Sequence, residues 1–87
     1  MKMKVRKAEK SDIEKTSMWG TWTKEPSEFP WYYDEKETCY IINGHAKVTD
    51  KEDNSIEFGA GDWVEFEQGL ECTWKITETI RKKYNFG

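Results

Sequence analysis

Eighty-seven residues make one small domain, with 14 Lys and Arg against 17 Asp and Glu and a formal net charge of -3. A mildly acidic chain with interspersed signs lacks the basic field that neutralises phosphates, which argues against nucleic acid as a partner. No apolar run approaches the roughly 20 residues of a membrane span, and no apolar segment follows the charged Met1–Lys7 as in a secretory signal, so a cytoplasmic protein is expected.

Hydrophobic residues are only 36%, but aromatics reach 15%, so the core must lean on five Trp, four Tyr and four Phe. Each ring can bury roughly 150–250 Å². From the start of the chain, Met1–Lys10 reads as a polar edge strand with Met3 and Val5 on one side and Lys4 and Arg6 on the other. Ser11-Asp-Ile-Glu14 has the form of a capping box, opening at most one short helical turn that ends by Met18. Trp19-Gly-Thr-Trp-Thr is rich in strand formers, with a bend expected at Gly20 because Trp19 and Trp22 are out of phase. Pro26 and Pro30 bracket a turn with Ser27 and Phe29.

The stretch from Trp31 to Gly44 is the centre of the reading. Glu37, Cys39, Ile41 and Asn43 share one strand face and Thr38, Tyr40 and Ile42 the other, so a carboxylate points the same way as apolar side chains. Asn43-Gly44 is the pair favoured in a two-residue type I′ hairpin, with the alternation resuming at Ala46 and Val48. Lys51–Asn54 is a polar connection, Ile56 and Phe58 share a strand face, and Gly59–Asp62 turns tightly. Val64 and Phe66 pair on the next strand and Glu67–Gly69 turns again. Leu70, Cys72, Trp74 and Ile76 then line one face of a long strand, and Ile80–Tyr84 reads as a separate basic strand. Short strands with Gly-centred turns indicate an all-β fold, a small antiparallel β-barrel or jelly roll, in a single domain over residues 1–87.

Two spacings carry a resemblance. Glu37 precedes Gly44 by six intervening residues, and Gly61 is followed after five by Glu67-Gln-Gly69 and then by Cys72. The pattern resembles the two motifs of the cupin superfamily. More narrowly, Trp19, Trp22, Lys24, Glu25, Ser27, Phe29 and Trp31–Asp34, with Glu37–Ile41, Gly61-Asp62 and Arg81–Tyr84, are similar to the short single-domain cupins. These are grouped with the cupin domains of ureidoglycine aminohydrolase and ethanolamine-utilisation proteins. The resemblance covers nearly the whole chain. It implies the barrel, and it leaves activity open, because cupins range from metal-dependent oxygenases and isomerases to storage proteins.

Laid on the motifs, Trp31 and Tyr33 stand where the two metal-binding histidines belong, Glu37 is kept, and Cys72 replaces the third histidine. Without these imidazoles the expectation is no metal cofactor; a divalent ion at Glu37 and Cys72, a carboxylate with a thiolate that zinc could accept, is the alternative. Cys72 beside Glu37 and among apolar strand mates is a poor nucleophile, and both cysteines read as reduced, buried structural thiols. His45 lies at the far end of its strand from Glu37 and reads as a solvent-exposed side chain.

Glu37 is the residue on which function is placed. An inward carboxylate needs a partner, such as Tyr33 or an Arg or Lys of the last strand, or it must be protonated. The expected ligand set is Trp22, Trp31, Tyr33, Glu37, Cys39, Cys72, Trp74 and Arg81, with the aromatics serving either as ligand clasp or as core. The expected function is binding of a small polar metabolite. One alternative is an enzyme (hydrolase, isomerase or oxygenase) on a small nitrogen-rich or sugar-like substrate, with Glu37 as general acid or base and Tyr33 as its partner. The other is a homodimeric interaction domain pairing through Trp19–Thr23.

Overall fold

A computed structural model describes residues 2–87. Among these residues there are seven strands: β1 (Met3–Lys7), β2 (Gly20–Lys24), β3 (Ser27–Tyr32), β4 (Glu37–Asp50), β5 (Ser55–Gly59), β6 (Asp62–Phe66) and β7 (Glu71–Phe86). The one α-helix, α1 (Lys10–Lys15), runs into a 3-10 turn over Thr16–Met18. Every ladder is antiparallel. This is the all-β jelly-roll arrangement expected from the sequence. Among the described residues no helix is long and apolar enough to cross a membrane. The strand expected over Met1–Lys10 is β1, and Met1 lies outside the described residues.

The long strands β4 and β7 pair along nearly their whole length and form a spine shared by two curved halves. In one half β4 from Glu37 to Tyr40 bonds β6, which bonds β1, while β7 from Ile80 to Tyr84 bonds β2. In the other half β4 from His45 to Thr49 bonds β5, and β7 from Glu71 to Ile76 bonds β3. The halves meet at a bulged corner, where the β4–β7 register shifts between Ile41 and Ala46. The corner flips the strand's phase. Glu37, Cys39 and Ile41 are buried before it and Ala46 and Val48 after it, so odd positions give way to even ones while the inward face stays apolar.

This corner corrects the expected Asn43-Gly44 hairpin. A type I′ turn needs positive φ at both central residues, but Asp53 is the one non-glycine residue with positive φ among those described, so Asn43 cannot supply it. Gly44 does have φ 95°, and a β-carbon there would fall 2.2 Å from the Thr79 carbonyl oxygen. The glycine is needed for close approach of β7 at the corner, not for reversal. The chain reverses instead at Lys51–Asn54, where Asp50 Oδ1 accepts from the Glu52 and Asn54 amides at 2.8 and 2.9 Å and Asp53 takes φ 65°.

Three smaller expectations also change. Helix α1 begins at Lys10, not Ser11. Its first-turn brace is Asp12, whose carboxylate accepts from the Glu9 amide at 2.8 Å and from Arg6 at 2.6 Å, tying the helix to β1. Pro26 lies in the bend between β2 and β3, but Ser27–Pro30 is strand rather than turn: β3 has a ladder partner, β7, on one side only, the edge position that tolerates Pro30. Finally, Ile80–Tyr84 is not a separate strand but the second half of β7, whose buried positions Cys72, Trp74, Ile76, Ile80 and Lys82 keep one even phase throughout.

The core between the halves is aromatic, as the composition demands. Tyr33 stacks on Phe66 with centroids 4.9 Å apart, and Phe58, Phe66 and Trp74 meet edge-on or tilted at 5.4–6.1 Å. Such pairs contribute roughly 0.5–1.5 kcal/mol each beyond their burial. A second aromatic group lies outside the barrel, where Trp19 packs on Trp63 at 5.4 Å and Arg6 covers Trp63. That is why Trp19 and Trp22 are out of phase: the first closes the helical turn on the outer surface and the second enters the barrel.

Candidate functional site

At the end of the barrel built by β2, β3 and the C-terminal half of β7 is a cavity of about 230 Å³. Its floor is polar. Tyr33 Oη donates to Glu37 Oε1 at 2.8 Å, Trp74 Nε1 donates to Tyr33 Oη at 3.2 Å, and Lys82 Nζ donates to Glu37 Oε2 at 2.6 Å. All four side chains are buried, with Glu37 2% and Lys82 5% exposed. Trp22, Phe29 and Trp31 form the walls, and Tyr84 and Phe86 complete the lining. Phe86 and Trp31 remain 43% and 48% exposed, so the cavity opens to solvent between them.

Each position follows from local structure. Glu37 starts β4 on its inward phase, and Lys82 lies on the inward phase of β7, whose register sets it opposite Ile41, one inward step beyond Cys39. Phe29, Trp31 and Tyr33 share the period-two face of β3 and the residue after it. Tyr33 is locked by reciprocal backbone bonds, its amide to the Leu70 carbonyl at 2.9 Å and its carbonyl from the Gly69 amide at 2.7 Å. Gly20 in β2 lets Tyr84 lean across it, since a β-carbon there would lie 2.7 Å from the Tyr84 ring.

An ion pair out of water costs several kcal/mol per charge after relaxation, so its neighbours must offset that. Glu37 has a partner on each oxygen. The Lys82 ammonium lies 4.8 Å from the Trp22 ring and 4.7 Å from the Trp74 ring, two cation–π contacts of about 2 kcal/mol each when desolvated. Burial first, then the Glu37 charge and hydrogen bond, push the Tyr33 phenol far above its ordinary range, so Tyr33 is a fixed hydrogen-bond donor. Burial likewise pushes the Cys39 thiol up to about 12, and burial with the Glu37 and Asp50 charges pushes Cys72 up to about 11.

Of the residues singled out in the sequence, the fold gathers Trp22, Trp31, Tyr33, Glu37 and Trp74 around this cavity. Three others are not there. Cys39 is wholly buried in the core. Cys72 borders a separate concavity together with Trp31, its Sγ 3.5 Å from the Trp31 carbonyl oxygen. Arg81 is exposed, because it falls on the odd, outward phase of β7. The cation that meets Glu37 is Lys82, and the uninterrupted even phase from Cys72 was the signal for it. Splitting β7 in two hid that phase. Phe29 was missed because two nearby prolines made its strand look like a turn. His45 is partly exposed at the corner, its Nδ1 2.8 Å from Thr77 Oγ1 and its Nε2 3.6 Å from Glu57.

The donor set does not fit a metal ion. A zinc or similar site needs three or four firm ligands. Trp31 has no donor lone pair, the Tyr33 phenol and the cysteine thiols are held protonated, and Glu37 is already neutralised by Lys82. Among the described residues no three His, Cys, Asp or Glu side chains group as ligands.

The jelly roll and its inward carboxylate define a cupin. The chain belongs to the family of EutQ-like cupin domains, whose model matches residues 12–84. It is similar to the structure of a DUF861 family protein from Thermotoga maritima, with 40% identity over 98% of this chain and 99% of that one and a TM-score of 0.94. A putative ethanolamine utilization protein Q from Salmonella typhimurium shares the fold at 15% identity and a TM-score of 0.71, over 97% of this chain and 68% of that one. Oxalate decarboxylase from Lactobacillus farciminis does so at 17% identity and 0.59, over 98% of this chain and 28% of that one. No curated protein sequence matches the chain.

Proposed function

We propose that this cupin binds a small polar metabolite in the aromatic cavity without a histidine-held metal. The observation that carries the reading is the Glu37–Lys82 pair, two buried and mutually neutralising charges at the floor of a cavity otherwise walled by rings. A net-neutral floor favours an uncharged or zwitterionic ligand, since a bare charge would meet a like charge within a few ångströms. The remaining lone pairs of Glu37 accept from ligand N–H or O–H groups, while the faces of Trp31 and Phe29 suit a planar body. The size of the cavity limits the ligand to a small molecule.

The enzymatic alternative, with Glu37 as general acid or base, has weaker support. The Tyr33 phenol is held as a donor, and both carboxylate oxygens already have partners. The homodimer rests on the outer edge of β2, which bonds β7 on one side only, and sedimentation at high concentration tests it: a strict monomer excludes it. The binding reading is tested by thermal shift of the wild-type chain and of Glu37→Gln and Trp31→Ala variants against pools of small polar metabolites. At least one compound is expected to raise the wild-type Tm saturably, with the rise lost in both variants. A pool that shifts nothing, or a ligand indifferent to both substitutions, overturns the reading.

A further inference from the structure

We propose that Lys82 is the resident cation of this barrel. Its ammonium fills a box, made by Glu37 and the faces of Trp22 and Trp74, that recognises an alkylammonium ion and keeps divalent metal from Glu37. This deepens the reading of the cavity as a metal-free site and depends on that reading for its context.

The geometry is that of an ammonium receptor already occupied. Lys82 Nζ makes one charge-assisted hydrogen bond, 2.6 Å to Glu37 Oε2, and sits over two indole faces at 4.8 and 4.7 Å. An ammonium has three N–H donors, and here the three surroundings supply one carboxylate oxygen and two π faces. The second carboxylate oxygen is held by Tyr33 Oη at 2.8 Å, and Tyr33 in turn by Trp74 Nε1, so the box wall is fixed from behind. Ring faces attract a weakly hydrated organic monocation. A divalent ion instead demands several oxygen, nitrogen or thiolate ligands, and Glu37 is the one carboxylate this floor offers. Such an ion would also have to displace an ammonium tethered to the adjacent strand, whose effective concentration at Glu37 is far above that of a free ion.

Lys82→Ala deletes the side chain from Cγ to Nζ, the atoms of a propylammonium ion. Propylammonium chloride is therefore the probe, with 1-propanol as its neutral counterpart and sodium chloride at matched ionic strength as the screening control. Lys82→Ala is expected to lose more than roughly 12 °C of Tm and to recover part of that loss saturably with propylammonium, with neither control having this effect. The Glu37→Gln/Lys82→Ala variant is expected not to respond. In parallel, manganese, nickel and zinc chlorides are expected to leave the wild-type Tm without a saturable shift. Equal recovery with 1-propanol, recovery that survives Glu37→Gln, or stoichiometric divalent binding by the wild type that Glu37→Gln abolishes would each overturn the proposal. If Lys82→Ala does not fold with or without propylammonium, the wild-type NMR spectrum decides. The Lys82 ε-methylene protons are expected to be shifted upfield of those of the other lysines by the two indole rings, and an ordinary shift there overturns the proposal. None of these measurements uses a metabolite, so a failed metabolite screen and a failed resident-cation test are separate results.

Discussion

The ring of Tyr84 lies across Gly20 so closely that a β-carbon on Gly20 would come within 2.7–2.9 Å of three of its atoms. Tyr84 lines the cavity, so this contact couples the start of β2 to the cavity wall. Gly20→Ala should push the ring aside, and because the obstacle is the far end of a side chain, the cost is about 1 kcal/mol, the low end for overpacking. Urea unfolding is expected to show that modest loss, together with a changed near-ultraviolet signal from the displaced aromatic. An unchanged spectrum would mean the ring does not rest there.

Two positive-φ glycines should respond very differently to the same substitution. Gly44→Ala combines left-handed strain with a collision against the Thr79 carbonyl and the Ile80 α-carbon, both backbone atoms that cannot step aside. About 3 kcal/mol or more is expected, a Tm loss above roughly 12 °C in a domain of this size. Gly61→Ala meets nothing within 4 Å and should cost only the conformational strain, about 1–2 kcal/mol. Equal losses at the two sites would contradict the bulged corner.

Breaking the buried ion pair on one side should be worse than removing it altogether. Glu37→Gln or Lys82→Met alone leaves one charge unpaired among aromatic rings and is expected to cost about 3–5 kcal/mol. The double variant removes both charges and should lie within about 1 kcal/mol of the wild type, as such replacements often do. Chemical denaturation of all four chains gives the coupling directly, and additive losses would show that the two groups do not meet.

The cysteines supply a pH signature. Burial raises the Cys39 thiol to about 12 from an ordinary 9.0, so between these values the unfolded chain has released a proton that the folded chain still holds. Stability is therefore full below pH 9 and falls as pH rises toward 12, by up to about 1.4 kcal/mol per pH unit from this group. Cys39→Ala should flatten that decline. At pH 8 the folded chain should leave both thiols unreactive toward a disulfide reagent, and the denatured chain should yield both.

The correspondence between sequence and structure divides along one line. Wherever a strand's alternation ran unbroken within a short window, the side-chain direction was legible, as at Glu37, Cys39 and Ile41 or at Cys72, Trp74 and Ile76. Windows that crossed a special residue were misread. Asn43-Gly44 carries the same local preference for positive φ whether the chain reverses or bulges, and only the approach of Thr79 and Ile80 decides which. Pro30 weakens a strand locally, and only the empty edge beside β3 makes it harmless there.

The amino-acid sequence alone determined an aromatic-cored antiparallel barrel with an inward carboxylate at position 37, because alternation and composition act within a few residues and require no partner. Tertiary structure decided which cation answers that carboxylate. Arg81, Lys82 and Lys83 are adjacent in the chain and similar in chemistry, and the choice among them depends on the phase that β7 keeps from Cys72 onward and on the register that brings its second half alongside β4. Those are long-range hydrogen-bonding relationships, which no single segment encodes.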